Sequence, residues 1–447
     1  MGLTITTPAP LLEKEGITFS IVRKSFTSLL ITLFTLLPGA LPGRGSSPAS
    51  ADEPRETLGI TGSVRGSWWN AEKKAEKNSG AGSASLWLKS IPQIESDVAT
   101  LQFEGWVRND DISRGGKTKG DLTEGYADLS FDSLDVRIGR QMVAWGKADA
   151  VNPTDNLVVR DFTLLTPDDA NQKSGVAALR GAVNMDELRL TALWLPEFRG
   201  NTLPLPTIGG IRFSEELPDN AWGQWGIKLE QFASDYDWSL SYFDGYDRNP
   251  DLALKNAGAL GIDVALRYGR LKAFGADGAL NFGRYGLRAE AAYLETGDTD
   301  GKDPFVKNPV FYAVAGGDRT FLENLNVNLQ FVYRAVANFT DADSFANPGV
   351  SAIAYQEQLA NNQMDSAQQG VSFRINNKWL NETLEAEISG LVWLKRGDSL
   401  LRPRLKYAVN DALGITIGGD IYQGPATSFF GRLNDATALF TEIRHVF

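Results

Sequence analysis

Residues 323–334 read Glu-Asn-Leu-Asn-Val-Asn-Leu-Gln-Phe-Val-Tyr-Arg. Leu325, Val327, Leu329, Phe331 and Tyr333 share one phase, and Asn324, Asn326, Asn328, Gln330 and Arg334 share the other. Consecutive side chains of a strand point to opposite faces, so this segment has one apolar and one polar side. The pattern recurs in both directions. In 284–294, Tyr285, Leu287, Ala289, Ala291 and Tyr293 oppose Arg284, Arg288 and Glu290. In 97–108, Leu101, Phe103, Gly105 and Val107 oppose Gln102, Glu104 and Arg108. In 399–409, Leu401, Leu405, Tyr407 and Val409 oppose Arg402, Arg404 and Lys406.

A soluble β-sandwich alternates in the same way, with its apolar face inward. Three features favour a membrane barrel instead. The segments run to about ten residues, the length a tilted membrane strand requires. Aromatic residues fall near the expected strand ends, as interfacial girdles do: Trp68, Trp69, Trp106, Trp194, Trp225, Trp238, Tyr293, Tyr333 and Trp393. The connections also alternate in length. Tight ones at 91–96, 132–133, 185–186, 233–235, 283, 319–322, 378–381 and 410–411 are interleaved with ones that are mostly long, at 70–82, 109–121, 142–173, 196–222, 244–271, 295–309, 336–367 and 423–435, with only 395–399 short on that side. Short periplasmic turns and long outer loops are the pattern of outer-membrane barrels. The expectation is an all-β transmembrane antiparallel barrel of 18 strands, with 16 the nearest alternative, over residues 52–447. The proline-rich 196–218 and the poorly alternating 256–271 are assigned to loops.

Residues 1–51 are expected to be an N-terminal extension and a cleaved export signal. Arg23 and Lys24 precede an apolar run to Gly43, and Ala49-Ser50-Ala51 fits a small-x-small cleavage site. The run is short and is interrupted by Pro38 and Pro42, which argues against a membrane anchor. The acidic Glu13 and Glu15 are foreign to a signal and suggest a start near Val22. Beyond this region there is no apolar run long enough for a membrane helix, a test that barrel strands escape. Cysteine is absent, which excludes disulfides and thiolate metal sites, and the net charge of -11 argues against a nucleic-acid partner.

The stretch Arg137-Ile-Gly-Arg-Gln-Met-Val-Ala-Trp-Gly-Lys-Ala-Asp-Ala-Val-Asn-Pro-Thr-Asp155 carries the elements Arg137-x-Gly139-Arg140-Gln141, Trp145-Gly146 and Pro153-x-Asp155. It resembles a signature of large, uncharacterised, porin-like outer-membrane barrels of proteobacteria. The run Leu401–Phe447, with Tyr407, Asp411, Gly419, Asp420 and Gly424, resembles their C-terminal region. More distantly, the Arg-x-Gly-Arg-Gln strand is similar to one in alginate-export porins. The resemblance implies a channel or exporter of unspecified substrate. The terminal Phe447 on an amphipathic last strand resembles the signal read by the barrel assembly machinery, with His445 departing from its usual apolar residue.

Gly139 would allow close backbone approach, and 142–173 is long enough to fold back into a wide barrel and narrow it. The alternative is a tether in which Arg137 and Arg140 pair with Asp149, Asp155 or Asp161. The candidate pore-lining or constriction residues are Arg137, Arg140, Gln141, Asp149, Asp155, Arg288, Glu290, Arg334, Glu385, Glu387, Arg402, Arg404, Lys406 and Arg444. A row of cationic side chains can select anions, or it can be neutralised across strands by Glu385 and Glu387. Asp298, Asp300 and Asp303 resemble part of a calcium loop but lack its bidentate Glu, so no metal is expected. No cofactor is expected either. The only histidine is His445, which leaves no base for a serine nucleophile, so an enzyme is not expected. The function expected is an outer-membrane channel for a small solute, an anion being one candidate. Its partners would be outer-membrane lipid, lipopolysaccharide and the assembly machinery. The alternative is a barrel sheath that holds a periplasmic partner such as an electron-transfer protein.

Overall fold

The computed structural model describes residues 57–71, 80–205, 209–258 and 261–447. The export segment expected over 1–51 lies outside the described residues. Eighteen strands form one sheet. They are β1 (Ile60–Ala71), β2 (Gly80–Ser90), β3 (Ala99–Asn109), β4 (Thr118–Ser130), β5 (Leu134–Gln141), β6 (Val176–Met185), β7 (Leu188–Leu195), β8 (Gln224–Phe232), β9 (Tyr236–Tyr246), β10 (Arg270–Phe282), β11 (Tyr285–Glu295), β12 (Val310–Phe321), β13 (Leu325–Val336), β14 (Ala367–Trp379), β15 (Leu384–Trp393), β16 (Asp398–Ala408), β17 (Leu413–Gln423) and β18 (Ala438–Val446). Each pairs antiparallel with the next, and β18 returns to β1 in a ladder from Ser63–Val446 to Ala71–Ala438. Gly62 and Phe447 extend that seam with two reciprocal backbone hydrogen bonds of 3.0 Å. The sheet is thus a closed 18-stranded barrel with no free edge.

Exposure fixes which face is which. In β13, Leu329 and Phe331 are 56% and 47% exposed, whereas Asn328 and Gln330 are 6% and 1% exposed. The apolar phase faces outward, the reverse of a soluble sandwich. Trp68, Trp194, Trp225 and Tyr293 lie exposed on that outer face as expected. Trp69, Trp106 and Trp393 do not, because each is one residue out of step with its apolar row and is buried inside. Trp69 stacks on Phe440 with centroids 4.4 Å apart. Trp106 lies 5.7 Å from Trp87, and both pack on Leu164. Trp393 packs with Ala148, Val314, Val332 and Phe430. The inner face is therefore not uniformly polar.

The long connections hold structure that the alternation does not announce. Ile211–Glu216 pairs parallel with Gly261–Arg267, which pairs antiparallel with Asp251–Gly258, giving a three-stranded sheet separate from the barrel sheet. A register shift between Leu254 and Asn256 breaks the period of two, so the segments expected as plain loop are in part strands. Between β13 and β14 lies a helix, α1 (Pro348–Ala360). Asn347 caps it by accepting from the N–H groups of Gly349 and Val350, and Pro348 opens its first turn.

Candidate functional site

The loop between β5 and β6, residues 142–175, lies against the inner wall on several sides. It departs from a tight crossing. Gly139 has φ +125°, and a Cβ there would stand 2.3 Å from the Gly125 carbonyl oxygen, so only glycine fits. Gln141, fully buried, donates to the Ala178 carbonyl at 3.0 Å.

The first half of the loop wraps around one carboxylate. Glu290, on the inner face of β11, is 2% exposed. Its Oε2 accepts the backbone N–H of Lys147 at 3.0 Å and of Ala148 at 3.1 Å. Its Oε1 accepts the N–H of Thr154 at 2.7 Å and the Thr154 hydroxyl at 2.8 Å. Four donors satisfy a charge that would otherwise be costly to bury. Gly146 makes room for it: its φ is +95°, and a Cβ would lie 2.5 Å from Glu290 Oε2. The Trp145-Gly146 and Pro153-x-Asp155 elements thus bracket a carboxylate cradle. Trp145 itself packs with Val143, Leu157, Leu195, Phe243 and Ala273. Asp149 extends the attachment, accepting from Arg288 Nη1 at 3.1 Å and Asn328 Nδ2 at 2.5 Å.

The second half reaches the other side of the barrel. Arg108 Nη1 donates to the Leu165 carbonyl at 2.5 Å. Asp169 pairs with Arg402, and Asp168 lies 3.4 Å from Arg404 Nη1 and 3.8 Å from Lys406 Nζ. The wall also supplies its own anions. Asp420 lies 3.0 Å from Arg402 Nε. Glu387 lies 3.8 Å from Arg404 but only 3.1 Å from Arg374. Glu385 stands opposite Lys406 in register, and Arg444 stands opposite Arg65.

The remaining candidates sit elsewhere. Arg137 donates to Asp128 at 2.5 Å and lies 4.1 Å over the Tyr126 ring. Arg140 lies 3.5 Å from Asp121 and 3.6 Å from Glu197. Neither forms the expected tether to Asp149, Asp155 or Asp161. Asp128 faces Arg137 across the β4–β5 ladder, so the nearest partner takes it. Asp155 is buried and stays within its loop, 3.6 Å from Lys173 and 3.8 Å from Arg160. Arg334 donates to the Asn362 carbonyl at 2.8 Å and lies over Tyr312. Asp298 and Asp303 accept from backbone N–H groups of their own loop.

A second charged cluster holds the outer loops together. Lys307 Nζ lies 3.1 Å from Asp247 and 3.4 Å from Asp251. Glu357 of α1 accepts the Leu252 N–H at 2.5 Å and a hydrogen bond from Asn361. Burial pushes the Glu357 carboxyl well above its usual range, the Asp251 charge adds to that, and Lys307 only partly offsets it. Burial likewise raises Asp251. For Lys307 burial opposes the charge, but Asp247 and Asp251 outweigh it and hold its pKa above the usual lysine value.

Residues 64–389, from β1 into β15, match a family described as proteins of unknown function, DUF1302. The chain belongs to this family. No curated protein matches it. Among solved structures this DUF1302 chain is similar to OccAB4 of Acinetobacter baumannii, with a TM-score of 0.50 and 10% identity over 87% of this chain and 97% of that one. It is also similar to a triple mutant of Rhodopseudomonas blastica porin, with a TM-score of 0.41 and 12% identity over 87% and 99%. At such identities the likeness concerns the barrel fold alone.

Several residues that build the site in this DUF1302 chain were not singled out from the sequence: Trp145 as a packing anchor, Lys147 and Thr154 as donors, Asn328 beside Asp149, and Asp168 with Asp169 on the basic row. One signal was available. Asp168-Asp169 is a pair of adjacent carboxylates on the loop expected to enter the barrel, while Arg402, Arg404 and Lys406 are cations awaiting partners.

Proposed function

We propose that the protein is an outer-membrane channel whose lumen is narrowed by residues 142–175 and whose basic wall favours small anions. The observation that carries this reading is the position of that loop. Inside a closed barrel with an apolar outer face, it is bound to β11 through Glu290 and to β16 through Asp168 and Asp169. With a third contact to β3 through Arg108, the loop is held at points around the lumen and restricts passage without closing the wall. Arg402, Arg404 and Lys406 project along one strand toward it, and Arg65 and Arg444 continue the basic surface. The resemblance to alginate-export porins rests on the Arg137–Gln141 strand, whose side chains are engaged in wall contacts, and it supplies no substrate. A sheath for a periplasmic protein would need the inner wall free, and here the chain's own loop engages it. His445, opposite Val64 and Leu413 on the outer phase of β18, is not placed to serve a nucleophile inside the barrel.

Single-channel recording of the mature protein in planar bilayers under asymmetric salt tests the reading. Discrete steps with a reversal potential on the anion side are expected. A folded barrel that never conducts would sink it.

A further inference from the structure

The two attachments of the loop differ in kind. The Glu290 cradle is buried and satisfied by four hydrogen bonds. The Asp168 and Asp169 side chains are 43% and 46% exposed, and they meet Arg402 and Arg404, which are 16% and 9% exposed. Ion pairs open to water on one side are weak and are screened by salt, so competing anions can displace them. Arg404 illustrates the demand for an anion. Glu387 lies nearer to Arg374 than to it, its Nε has no hydrogen-bond partner among the described residues, and Asp168 is its closest carboxylate.

Resting on the channel reading above, we infer that Arg402, Arg404 and Lys406 form a binding site for a small linear dicarboxylate, and that Asp168 and Asp169 occupy it as a built-in stand-in when no ligand is bound. The spacing selects the ligand class. Arg402 and Arg404 are two residues apart on one strand, so their side chains emerge about 6.5–7 Å apart. An extended six-carbon dicarboxylate places its carboxylates at about that separation, one on each guanidinium, as the two aspartates now stand. A monocarboxylate fills one of these two positions and leaves the other empty, and inorganic phosphate offers a single anionic centre where the two aspartates offer two. Binding of the dicarboxylate displaces the 168–169 segment while the Glu290 cradle keeps 145–154 in place, so the solute loosens the constriction it has to pass.

Isothermal titration of the full-length barrel, folded in detergent, with adipate, acetate and inorganic phosphate tests this without relying on conduction. Asp168→Asn/Asp169→Asn removes the internal competitor and should bind adipate about tenfold more tightly than the unmodified protein, because a ligand no longer has to displace an occupied state. Adding Arg402→Gln/Arg404→Gln should abolish that gain. Asp300→Asn, which removes an exposed carboxylate from an outer loop away from the basic row, should leave adipate affinity unchanged. Circular dichroism confirms that each variant is folded. Equal affinity of the Asp168/Asp169 variant and the unmodified protein overturns the proposal, as does an equal gain in Asp300→Asn or phosphate binding as tight as adipate. Silent bilayers alongside the expected titrations would overturn the channel reading and leave the binding site standing.

Discussion

Glu290 accepts both the backbone N–H and the hydroxyl of Thr154, at 2.7 and 2.8 Å, across a sequence separation of 136 residues. Through this contact a strand of the wall dictates where a loop lies inside the barrel. Glu290→Ala leaves the N–H groups of Lys147, Ala148 and Thr154 without their acceptor. Charge-assisted hydrogen bonds contribute about 1.5–3 kcal/mol each and are not additive, so the loop should lose on the order of 3 kcal/mol of local stability while the barrel ladder stays intact. The expected result is faster proteolysis within 142–175 and larger single-channel conductance. Thr154→Val removes the hydroxyl contact and keeps the backbone one, and should cost about 1 kcal/mol. If Glu290→Ala left conductance and proteolysis unchanged, the cradle would have no part in fixing the loop.

Gly146→Ala is expected to be nearly as damaging as loss of Glu290 itself. The position has φ +95°, which alanine adopts only under strain, and the added methyl would meet both Glu290 carboxylate oxygens, at 2.5 and 2.6 Å. Strain of this kind costs about 1–3 kcal/mol before any displacement of the carboxylate. Hydrogen exchange should show loss of protection at the Lys147, Ala148 and Thr154 amides, with the β11 ladder unaffected. Alanine at Gly66, where a Cβ meets nothing within 4 Å, is the control that should change neither.

The barrel was legible because its physics is periodic. An outer face in lipid and an inner face in water impose a period of two on every strand, and all eighteen strands are found where the alternation places them. The loops obey no such rule. Asp251–Gly258 and Gly261–Arg267 pair antiparallel with a register shift that erases the alternation, and α1 is a short helix held by its Asn347 cap and by Glu357 rather than by a strong apolar stripe. In the candidate site, the sequence points to Glu290 and Arg288 as inward-facing and to 142–173 as the entering loop. It does not reveal which loop residue meets which wall residue. Asp149 meets Arg288, and Asp168 meets Arg404 from 236 residues away, pairings that only the closed barrel brings about. Trp69, Trp106 and Trp393 lie near strand ends, as girdle residues do, but their own phase points inward, and the structure buries them there.

The basic row should set ion preference. Arg402, Arg404 and Lys406 follow one another on the inner phase of β16, with Asp168 and Asp169 against them. Charge reversal of all three residues to Glu should move the reversal potential in asymmetric potassium chloride toward the cation side, by a shift that shrinks as ionic strength rises. Reversal of Arg137, which is engaged with Asp128 and Tyr126 on the wall, should shift it far less. Identical reversal potentials before and after the triple change would mean that the row only stiffens the wall.

The outer-loop cluster should make the docking of α1 sensitive to pH. Glu357 accepts from Leu252 and Asn361 and lies beside Asp251, while Lys307 bridges Asp251 and Asp247. The folded protein holds the Glu357 carboxyl well above the ordinary glutamate value of 4.5, chiefly through burial and then through Asp251. A carboxyl whose folded pKa is raised binds its proton more tightly when folded, so docking is strongest where both folded and undocked forms are protonated. As the pH climbs past 4.5 the undocked form ionises first and docking weakens, until the pH exceeds the raised folded value and the loss levels off. The raised Asp251 acts in the same direction. Lys307, held above its usual value, stays charged throughout this range and contributes no slope. Amide exchange in 348–360 should therefore accelerate as the pH rises past 4.5, beyond the intrinsic chemical dependence measured on an unstructured peptide of the same sequence. Glu357→Gln keeps an acceptor for the Leu252 N–H and cannot ionise, so its residual slope should be much smaller. An equal slope in the variant would place the pH response elsewhere.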